Sequence, residues 1–327
     1  MRNTLRLAAL STLVTSMVLP AALPANAESC SWQLKELASP AFKYVTDAAE
    51  GGWIVGSTDP SQSVVRQIRW RPDGTFEALG KGRLYRVNSS GVAISSEGTI
   101  VYADRSVKKP ALPDWLGDMQ LTAINNNGDV VGFGHTKNGQ TDAARWSAAD
   151  PGTAQRIPMP AGYSYLVPLD IDDQGNILFQ AQAAGGAGFV SLVRQANGQV
   201  RQVVDPNGGG TINPHRIGGG KIVGTSSADG NVTWRTTQWN LDGAFLFAVD
   251  NSTEAGNVYI NSSRQMTNRV KLNGKYQIGV YGDFTQTILG GEFDGAVPTA
   301  ITDDGVITAQ IYSGGGMRAA TYKWTCK

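Results

Sequence analysis

Few residues of this chain could form a histidine-based triad or hold a transition metal. The 327 residues include two histidines, His135 and His215, and two cysteines, Cys30 and Cys326. A structural zinc site takes four such ligands, and a hydrolytic triad pairs a histidine with a nucleophile in a sharp turn. Neither histidine has a second histidine or a Ser-x-Gly turn nearby. The sequence therefore supplies no catalytic set, and both histidines are expected in loops, where either could line a pocket.

One acidic segment resembles a calcium-binding loop. Asp170-Ile171-Asp172-Asp173-Gln174-Gly175 places oxygen ligands at alternating positions, but the twelfth position is Ala181 instead of the glutamate that closes such loops. The same segment is also one copy of a repeated turn, described below, and 303–305 reads likewise. We therefore expect turns here and assign no metal ligand. A structural calcium ion is the one cofactor that the sequence leaves open.

A second segment is close to the Asp-box of sialidases, Ser-x-Asp-x-Gly-x-Thr-Trp. In 227–234 the glycine comes one place early, and Asn231 stands where it belongs. Asp-boxes usually recur along a chain, whereas this one occurs once, and they are structural turns remote from the chemistry. An ordinary hairpin turn is therefore the favoured interpretation.

Three aromatic residues lie beside polar groups, an arrangement that suits carbohydrate and peptide recognition. Trp115 ends a Lys- and Pro-rich insertion, and Tyr163 and Tyr165 lie in a predicted loop. The spacing of Trp115 also fits a structural role, so the two tyrosines are the less constrained pair. The candidate ligand-binding residues are Trp115, His135, Tyr163, Tyr165 and His215.

The composition and the first residues predict an exported protein. Arg2 and Arg6 precede an apolar stretch over 7–19, and 25–27 forms a small-x-small site, so we expect a signal peptide over 1–27 that is cleaved after Ala27. A retained anchor is the alternative; Glu28 and Ser29 argue against lipidation at Cys30. The net charge is +1, or −1 without the leader, which favours neither nucleic acid nor membrane partners.

A short phrase returns along the chain: an apolar residue, a polar turn of Asn, Asp or Ser ending in Gly, and a β-branched strand. Clear copies lie at 93–101, 123–132, 170–178 and 300–307, and looser ones at 48–56, 216–224 and 260–266. The turn position falls at residues 52, 98, 128, 175, 220, 264 and 305, with Arg264 in place of Gly. The mean spacing is about 42 residues, which indicates a repeat architecture.

A second marker keeps phase with this phrase. An aromatic residue follows the turn position by 17–19 residues in six units, at Trp70, Trp115, Trp146, Trp239, Tyr281 and Trp324, and the fourth unit has Val193 instead. Asp-Gly or Asn-Gly turns follow this marker in three units, at 73–74, 197–198 and 242–243.

Each unit therefore reads as a four-stranded antiparallel meander, and no long helical period occurs in the mature chain. Such units fit an all-β fold, a β-propeller of seven four-stranded blades over residues 28–327. Six blades are also possible, because Arg264, Val193 and a shortened second unit depart from the pattern. A linear β-solenoid and a pair of sandwiches are the alternatives.

The two chain ends complement each other. Only three residues follow Trp324, so the last unit lacks its second half, whereas 28–48 supplies a matching length before the first phrase. Cys30-Ser31-Trp32 and Trp324-Thr325-Cys326 are mirror images, and one antiparallel register places Cys opposite Cys and Trp opposite Trp. We therefore predict that N- and C-terminal strands share a blade and close the ring, and that Cys30 and Cys326 form a disulfide.

The phrase at 124–132, followed by Ala144-Arg145-Trp146, resembles the bacterial extracellular HAF-type repeat proteins. This resemblance covers most of the mature chain and implies a secreted, propeller-like repeat protein. The family carries no agreed activity or catalytic residues, so none is transferred to this chain.

Two functions follow from these observations. The first is a secreted, non-enzymatic binding or scaffold module whose partner is an extracellular glycan, peptide or protein. The alternative is a secreted glycan-cleaving enzyme, a glycosidase or polysaccharide lyase, with carboxylates that project from the inner edges of the blades. Two or three inward carboxylates near Arg or His would favour the enzyme, and a channel lined by Gly and Val would disfavour it.

Overall fold

The computed structural model describes residues 30–38, 43–58, 63–186, 188–205, 210–227, 229, 233–249, 258–272, 275–282, 286–289, 295–313 and 316–326. The predicted signal peptide lies outside these residues. Within them the secondary structure comprises 28 β-strands and one three-residue 3-10 turn, Glu50–Gly52. Across the same residues there is no helix with the length and hydropathy needed to span a bilayer. The all-β class is confirmed.

After the first strand, β1 (Cys30–Glu36), the strands follow one another in antiparallel meanders of four. Meander 1 contains β2 (Lys43–Ala48), β3 (Ile54–Thr58), β4 (Arg66–Trp70) and β5 (Phe76–Lys81). Meander 2 contains β6 (Leu84–Val87), β7 (Ala93–Ser95), β8 (Ile100–Val101) and β9 (Val107–Lys108).

Meanders 3 and 4 form one eight-stranded sheet. Meander 3 contains β10 (Gln120–Ile124), β11 (Asp129–His135), β12 (Thr141–Ser147) and β13 (Ala154–Ile157). Meander 4 contains β14 (Tyr163–Ile171), β15 (Ile177–Ala183), β16 (Phe189–Arg194) and β17 (Val200–Gln202). A single parallel bridge, Thr141 to Tyr165, joins the two halves.

The remaining strands form three further sheets. Meander 5 contains β18 (Thr211–Gly218), β19 (Lys221–Ser227), β20 (Arg235–Asn240) and β21 (Phe245–Val249). Meander 6 contains β22 (Tyr259–Ile260), β23 (Met266–Leu272), β24 (Lys275–Tyr281) and β25 (Gln286–Leu289). Meander 7 contains β26 (Ala296–Ile301), β27 (Ile307–Ser313) and β28 (Gly316–Cys326), and β1 is its fourth strand.

The predicted pairing of the two chain ends is confirmed in the backbone. Strand β1 runs antiparallel to β28, with Cys30 opposite Cys326 and Trp32 opposite Trp324. Directly opposed residues of an antiparallel pair have the Cα separation that a disulfide requires. The side chains of both cysteines lie outside the described ones, so the disulfide stays a prediction.

The predicted turn position is wrong in the second unit. Gly98 lies between β7 and β8, whereas the first turn of meander 2 is Asn88-Ser89-Ser90-Gly91, in which Gly91 has φ 74°. Gly91 follows Gly52 by 39 residues and precedes Gly128 by 37, so the second unit is not shortened. Trp115 accordingly does not lie on the third strand of its meander; it lies between β9 and β10.

In three meanders the aromatic marker lies on the third strand and has a structural role, as its regular spacing predicts. Trp70, Trp146 and Trp239 are buried, and the indole N–H of each donates to a backbone carbonyl, that of Ala38, Ala111 and Val204 respectively. In meander 7 the marker was misplaced by two residues. Tyr322 lies opposite Ile307, the position that the tryptophans occupy elsewhere, whereas Trp324 pairs with β1.

In three meanders the asparagine that opens the first turn joins the neighbouring meander. In meander 3 the Asn125 Oδ1 accepts the N–H of Asp129 at 2.8 Å, and the Asn125 amide donates to the carbonyl of Asp172 in meander 4 at 2.8 Å. Asn88 makes the same bond to meander 3, at 3.3 Å, and Asn261 makes it to Thr302 in meander 7, at 2.9 Å. One side chain thus closes its own turn and holds the next sheet.

We expect Asn125→Ala to lower the free energy of unfolding by about 2–3 kcal/mol, because it removes two buried hydrogen bonds. Asn125→Asp keeps the acceptor for the Asp129 N–H but turns a buried carboxylate toward the Asp172 carbonyl and the Asp129 carboxylate, so its loss at neutral pH should be at least as large. Asn197→Ala, in an exposed turn, is the control. Chemical denaturation measures all three, and an equal loss for Asn125→Ala and Asn197→Ala would contradict the role of Asn125.

We also expect a peptide that links Cys30 to Cys326 in a non-reduced digest of the native protein. Replacement of both cysteines by serine should lower stability by about 2–5 kcal/mol, because the bridge closes a loop of nearly the whole chain. Alkylation of both thiols in the native, non-reduced protein would refute this pairing.

Candidate functional site

The first strands of the meanders carry β-bulges at one common level. In six of the seven described first strands, one extra residue stands between two paired positions: Thr46, Tyr85, Thr122, Leu169, His215 and Thr299. Proline precedes the extra residue in three of them, at 168, 214 and 298, where a missing N–H is tolerated. Bulges re-aim the side chains that follow them.

The glycine that ends the repeated phrase is required by this bulge. Gly132 lies opposite Leu121, directly before the bulge in β10. A Cβ at Gly132 would lie 2.3 Å from the carbonyl oxygen of Gln120, so no other residue fits without a shift of the backbone. Gly224 meets Asn213 in the same way, also at 2.3 Å.

Two positions after the extra residue, six first strands supply an aliphatic side chain to one shared layer, and β22 supplies a seventh. This aliphatic layer consists of Ala48, Val87, Ile124, Ile171, Ile217, Ile260 and Ile301, and all seven line a cavity of about 160 Å³. The remaining walls of that cavity come from the polar first turns. Outside the second unit, the apolar residue of the repeated phrase is therefore the one that each first strand contributes to this shared layer.

The carboxylates at this polar end serve as acceptors for the scaffold. Asp172 accepts the backbone N–H and the side-chain amide of Asn176, each at 2.8 Å, and Asp173 accepts two donors of Asn126. Among the described residues no group of three or more His, Cys, Asp or Glu side chains could hold a metal ion. The acidic segment that resembles a calcium loop is thus a turn of the repeat.

A charged cluster lies on the other side of the aliphatic layer. Asp47, Arg86, Asp170, Arg216 and Tyr259 occupy the position directly before the aliphatic residue and line a cavity of about 130 Å³. Meanders 3 and 7 place Ala123 and Ala300 at the same position. We call these five residues the channel cluster.

The channel cluster repeats one arrangement twice. Asp47 Oδ2 accepts the N–H of Val87 at 3.1 Å, and Asp170 Oδ2 accepts the N–H of Ile217 at 3.0 Å. Each carboxylate therefore bonds to the next first strand, at the residue after an arginine. The Arg216 guanidinium lies 4.9 Å from the centre of the Tyr259 ring, within the range of a cation–π contact.

Burial in this cluster opposes the ionised forms of Asp47 and Arg216. Burial raises the pKa of Asp47 to about 6, against the lowering effect of the Arg86 and Arg216 charges and of the Val87 N–H. Burial also lowers the pKa of Arg216, and the positive charge of Arg86 lowers it further. The two guanidinium groups therefore repel each other within one small cavity.

Backbone pairing places four of the five candidate ligand-binding residues at the same end of the joined sheet, opposite the polar turns. The N–H of Gly117, two residues after Trp115, donates to the carbonyl of His135 at 2.6 Å. His135 lies opposite Thr141, and Thr141 bridges to Tyr165. We call Trp115, His135, Tyr163, Tyr165 and the neighbouring Phe189 the aromatic edge.

Side chains of the aromatic edge differ in exposure. Phe189 is 58% exposed, and its ring lies 5.4 Å from that of Tyr165 in an edge-to-face arrangement. His135 is exposed and its Nδ1 lies 2.8 Å from Asp118 Oδ2. Trp115 is half-buried against the core, and its indole nitrogen has no hydrogen-bond partner among the described residues.

Several sequence predictions about these residues were wrong in detail. His135, Tyr163 and Tyr165 lie in strands instead of loops, because their sheets extend further than the repeated phrase indicates. His215 also lies in a strand; it is the bulge residue of β18 and is separate from the aromatic edge. In the segment that resembles an Asp-box, Asp229 accepts Ser227 Oγ and the Thr233 N–H, as expected of a turn, and 228 and 230–232 lie outside the described residues.

Sequence reasoning missed the channel cluster. Its members share one signal, a charged or aromatic residue directly before the apolar residue of the phrase, in Asp47-Ala48, Arg86-Val87, Asp170-Ile171, Arg216-Ile217 and Tyr259-Ile260. Alignment of the units at that position would have found them. That alignment would still have missed Arg86 in the second unit, because the turn of this unit was placed at Gly98.

No protein-family model and no curated protein matches the chain. Solved structures do match. A puromycin hydrolase has a TM-score of 0.58 and 12% identity over 88% of this chain and 52% of its own. A prolyl endopeptidase has a TM-score of 0.56 and 11% identity, over 88% of this chain and 51% of its own. An oligogalacturonate lyase in complex with manganese has a TM-score of 0.57 and 12% identity, over 90% of this chain and 98% of its own.

The structural neighbours are β-propeller proteins. This chain spans about half the length of the puromycin hydrolase and of the prolyl endopeptidase. At 11–12% identity the likeness extends to the fold alone.

The raised pKa of Asp47 predicts a pH-dependent cost. Because the folded state holds this proton more tightly than the unfolded state, stability falls as pH rises from about 4 to 6. Asp47→Asn should therefore be more stable than the wild type at pH 8, by about 3 kcal/mol, and equal to it below pH 4. Thermal unfolding at both pH values checks this, with Asp73→Asn in an exposed turn as a control that gives no gain. A difference that does not depend on pH would contradict the assignment.

Proposed function

We propose that this protein is an exported, seven-bladed β-propeller that binds an extracellular glycan, peptide or protein at its aromatic edge and catalyses no reaction. Each meander is one blade, and β1 completes the seventh. The same proposal includes a relationship to the HAF-type extracellular repeat proteins, which the sequence resembles. It also includes a signal peptide over 1–27 and an extracellular location.

Contacts between the first strands support a closed ring. Each first strand contacts the first strand of the next meander, from β2 through β6, β10, β14, β18 and β22 to β26, and β26 in turn contacts β2. The Gln310 amide of meander 7 donates to the carbonyl of Val45 in meander 1 at 2.8 Å. A linear solenoid would leave its first and last units without this contact.

The observation that carries the binding function is an exposed phenylalanine, Phe189, beside the partly buried Tyr165, with exposed polar groups on neighbouring strands at the same end of two joined meanders. Phe189 and Tyr165 present an edge-to-face pair, and the His135–Asp118 pair supplies exposed hydrogen-bonding groups across the neighbouring strands. Aromatic side chains bury large areas at low entropic cost, which suits them to recognition surfaces. A glycan is the first partner to test, because it offers apolar faces and hydroxyl groups together.

The test is binding of the mature protein to an array of cell-wall and extracellular polysaccharides. We expect Phe189→Ala and Tyr165→Ala each to weaken binding at least about ten-fold. Phe245→Ala, an exposed phenylalanine of meander 5 that is 37% accessible, should bind as the wild type does. If no glycan binds and culture proteins are captured with the same dependence on Phe189, the partner is a protein; silence in both assays would reject the binding function.

Glycan cleavage is the second candidate, and the channel cluster favours it. Two inward carboxylates, Asp47 and Asp170, share a cavity with two arginines, and an elevated pKa is typical of a general acid. We rank it second because each carboxylate already accepts a scaffold N–H and the cavity, about 130 Å³, falls below the roughly 300 Å³ of ordinary ligand pockets. If the wild type cleaves a polysaccharide and both Asp47→Asn and Asp170→Asn abolish that cleavage, this ranking is reversed.

A further inference from the structure

The two arginines of the channel cluster have donors that the protein does not use. A guanidinium group carries five N–H donors. Among the described residues, Arg86 donates only from Nη1 to the carbonyl of Tyr85, at 3.3 Å, and Arg216 only from Nη1 to the carbonyl of His215, at 3.0 Å. The Nε of Arg86 is buried and has no hydrogen-bond partner among the described residues.

The neighbouring carboxylates do not take up these donors. Within the described residues the ion pairs shorter than 4.0 Å involve neither Arg86 nor Arg216, although Asp47 and Asp170 line the same cavity. Their Oδ2 atoms point instead to backbone N–H groups of the next strand. A buried donor without an acceptor is costly, as it is for the Nε of Arg86, and the other unused donors of the two guanidinium groups are left to solvent or to a ligand.

The scaffold fixes both guanidinium groups at this level of the channel. Each arginine directly follows a bulge residue, Tyr85 or His215, and the ring of Tyr259 lies against Arg216. The aliphatic layer separates them from the polar turns, and both arginines are half-buried, so solvent reaches them within the channel.

We propose that the channel cluster binds a small oxyanion, a carboxylate or a phosphate, between Arg86 and Arg216. Such an anion accepts paired N–H bonds from guanidinium groups, satisfies the free donors and relieves the repulsion between the two arginines. The cavity of about 130 Å³ admits a group of this size. This site is separate from the aromatic edge and does not depend on the proposed function.

Titration calorimetry of the whole mature protein with inorganic phosphate, sulfate and acetate tests the proposal. We expect saturable binding of at least one anion at a single site, weakened at least about ten-fold in Arg86→Gln and in Arg216→Gln. Arg201→Gln removes an exposed arginine of β17 and should bind as the wild type does. Preference for acetate would identify a carboxylate ligand, and preference for phosphate and sulfate a tetrahedral one.

A variant that strengthens anion binding shows that the losses in the arginine variants do not simply reflect unfolding. Asp47→Asn removes a negative charge from the cavity, so we expect it to raise the anion affinity several-fold at pH 8 and by less at pH 5. No binding of any of the three anions by the folded wild type, or equal loss in Arg86→Gln and Arg201→Gln, would overturn the proposal. An affinity unchanged in Asp47→Asn at pH 8 would also contradict it.

Discussion

The structure depends on the hydrogen bonds that side chains make from one meander to the next, three of which come from first-turn asparagines. A single four-stranded meander cannot bury both of its faces, as the fully buried β3 illustrates, so each sheet needs neighbours. Asn125 closes its own turn through its oxygen and holds the next sheet through its nitrogen. Asn88 and Asn261 repeat this bond. The same residue type thus sets both the turn and the distance between sheets.

The demands of this scaffold leave few positions free for function. At the polar end, turn residues such as Asp172 and Asp173 are consumed as acceptors. The aliphatic layer fills the centre, and the glycines that face the bulges cannot carry side chains. What varies is the position directly before the aliphatic layer, where charged, aromatic and alanine residues alternate around the channel. The opposite strand ends, which carry the aromatic edge, are the other variable region.

Much of this architecture could be predicted from the sequence, because its signals are local and repeated. Turn chemistry and aromatic spacing indicated meanders, and the mirror order around Cys30 and Cys326 gave the register of the terminal strands. The second unit was misread because Gly98 ends a turn of the same chemistry as Gly91, one hairpin later. The bulges left no signal in a pattern of apolar and polar residues, so His215 was expected in a loop and the channel cluster was missed.

Closure by the terminal strands is the claim on which the rest depends, and amide hydrogen exchange tests it most directly. The measurement compares β1 (Cys30–Glu36) with β27 (Ile307–Ser313) in a protein whose two cysteines are replaced by serine, so that only strand pairing holds β1. The account predicts that the β1 amides that bond to β28 are protected to a degree similar to those of β27, since both strands belong to one cooperative sheet in which β1 is the edge strand. Exchange of β1 at the rate of an unstructured peptide, with β27 protected, would contradict it.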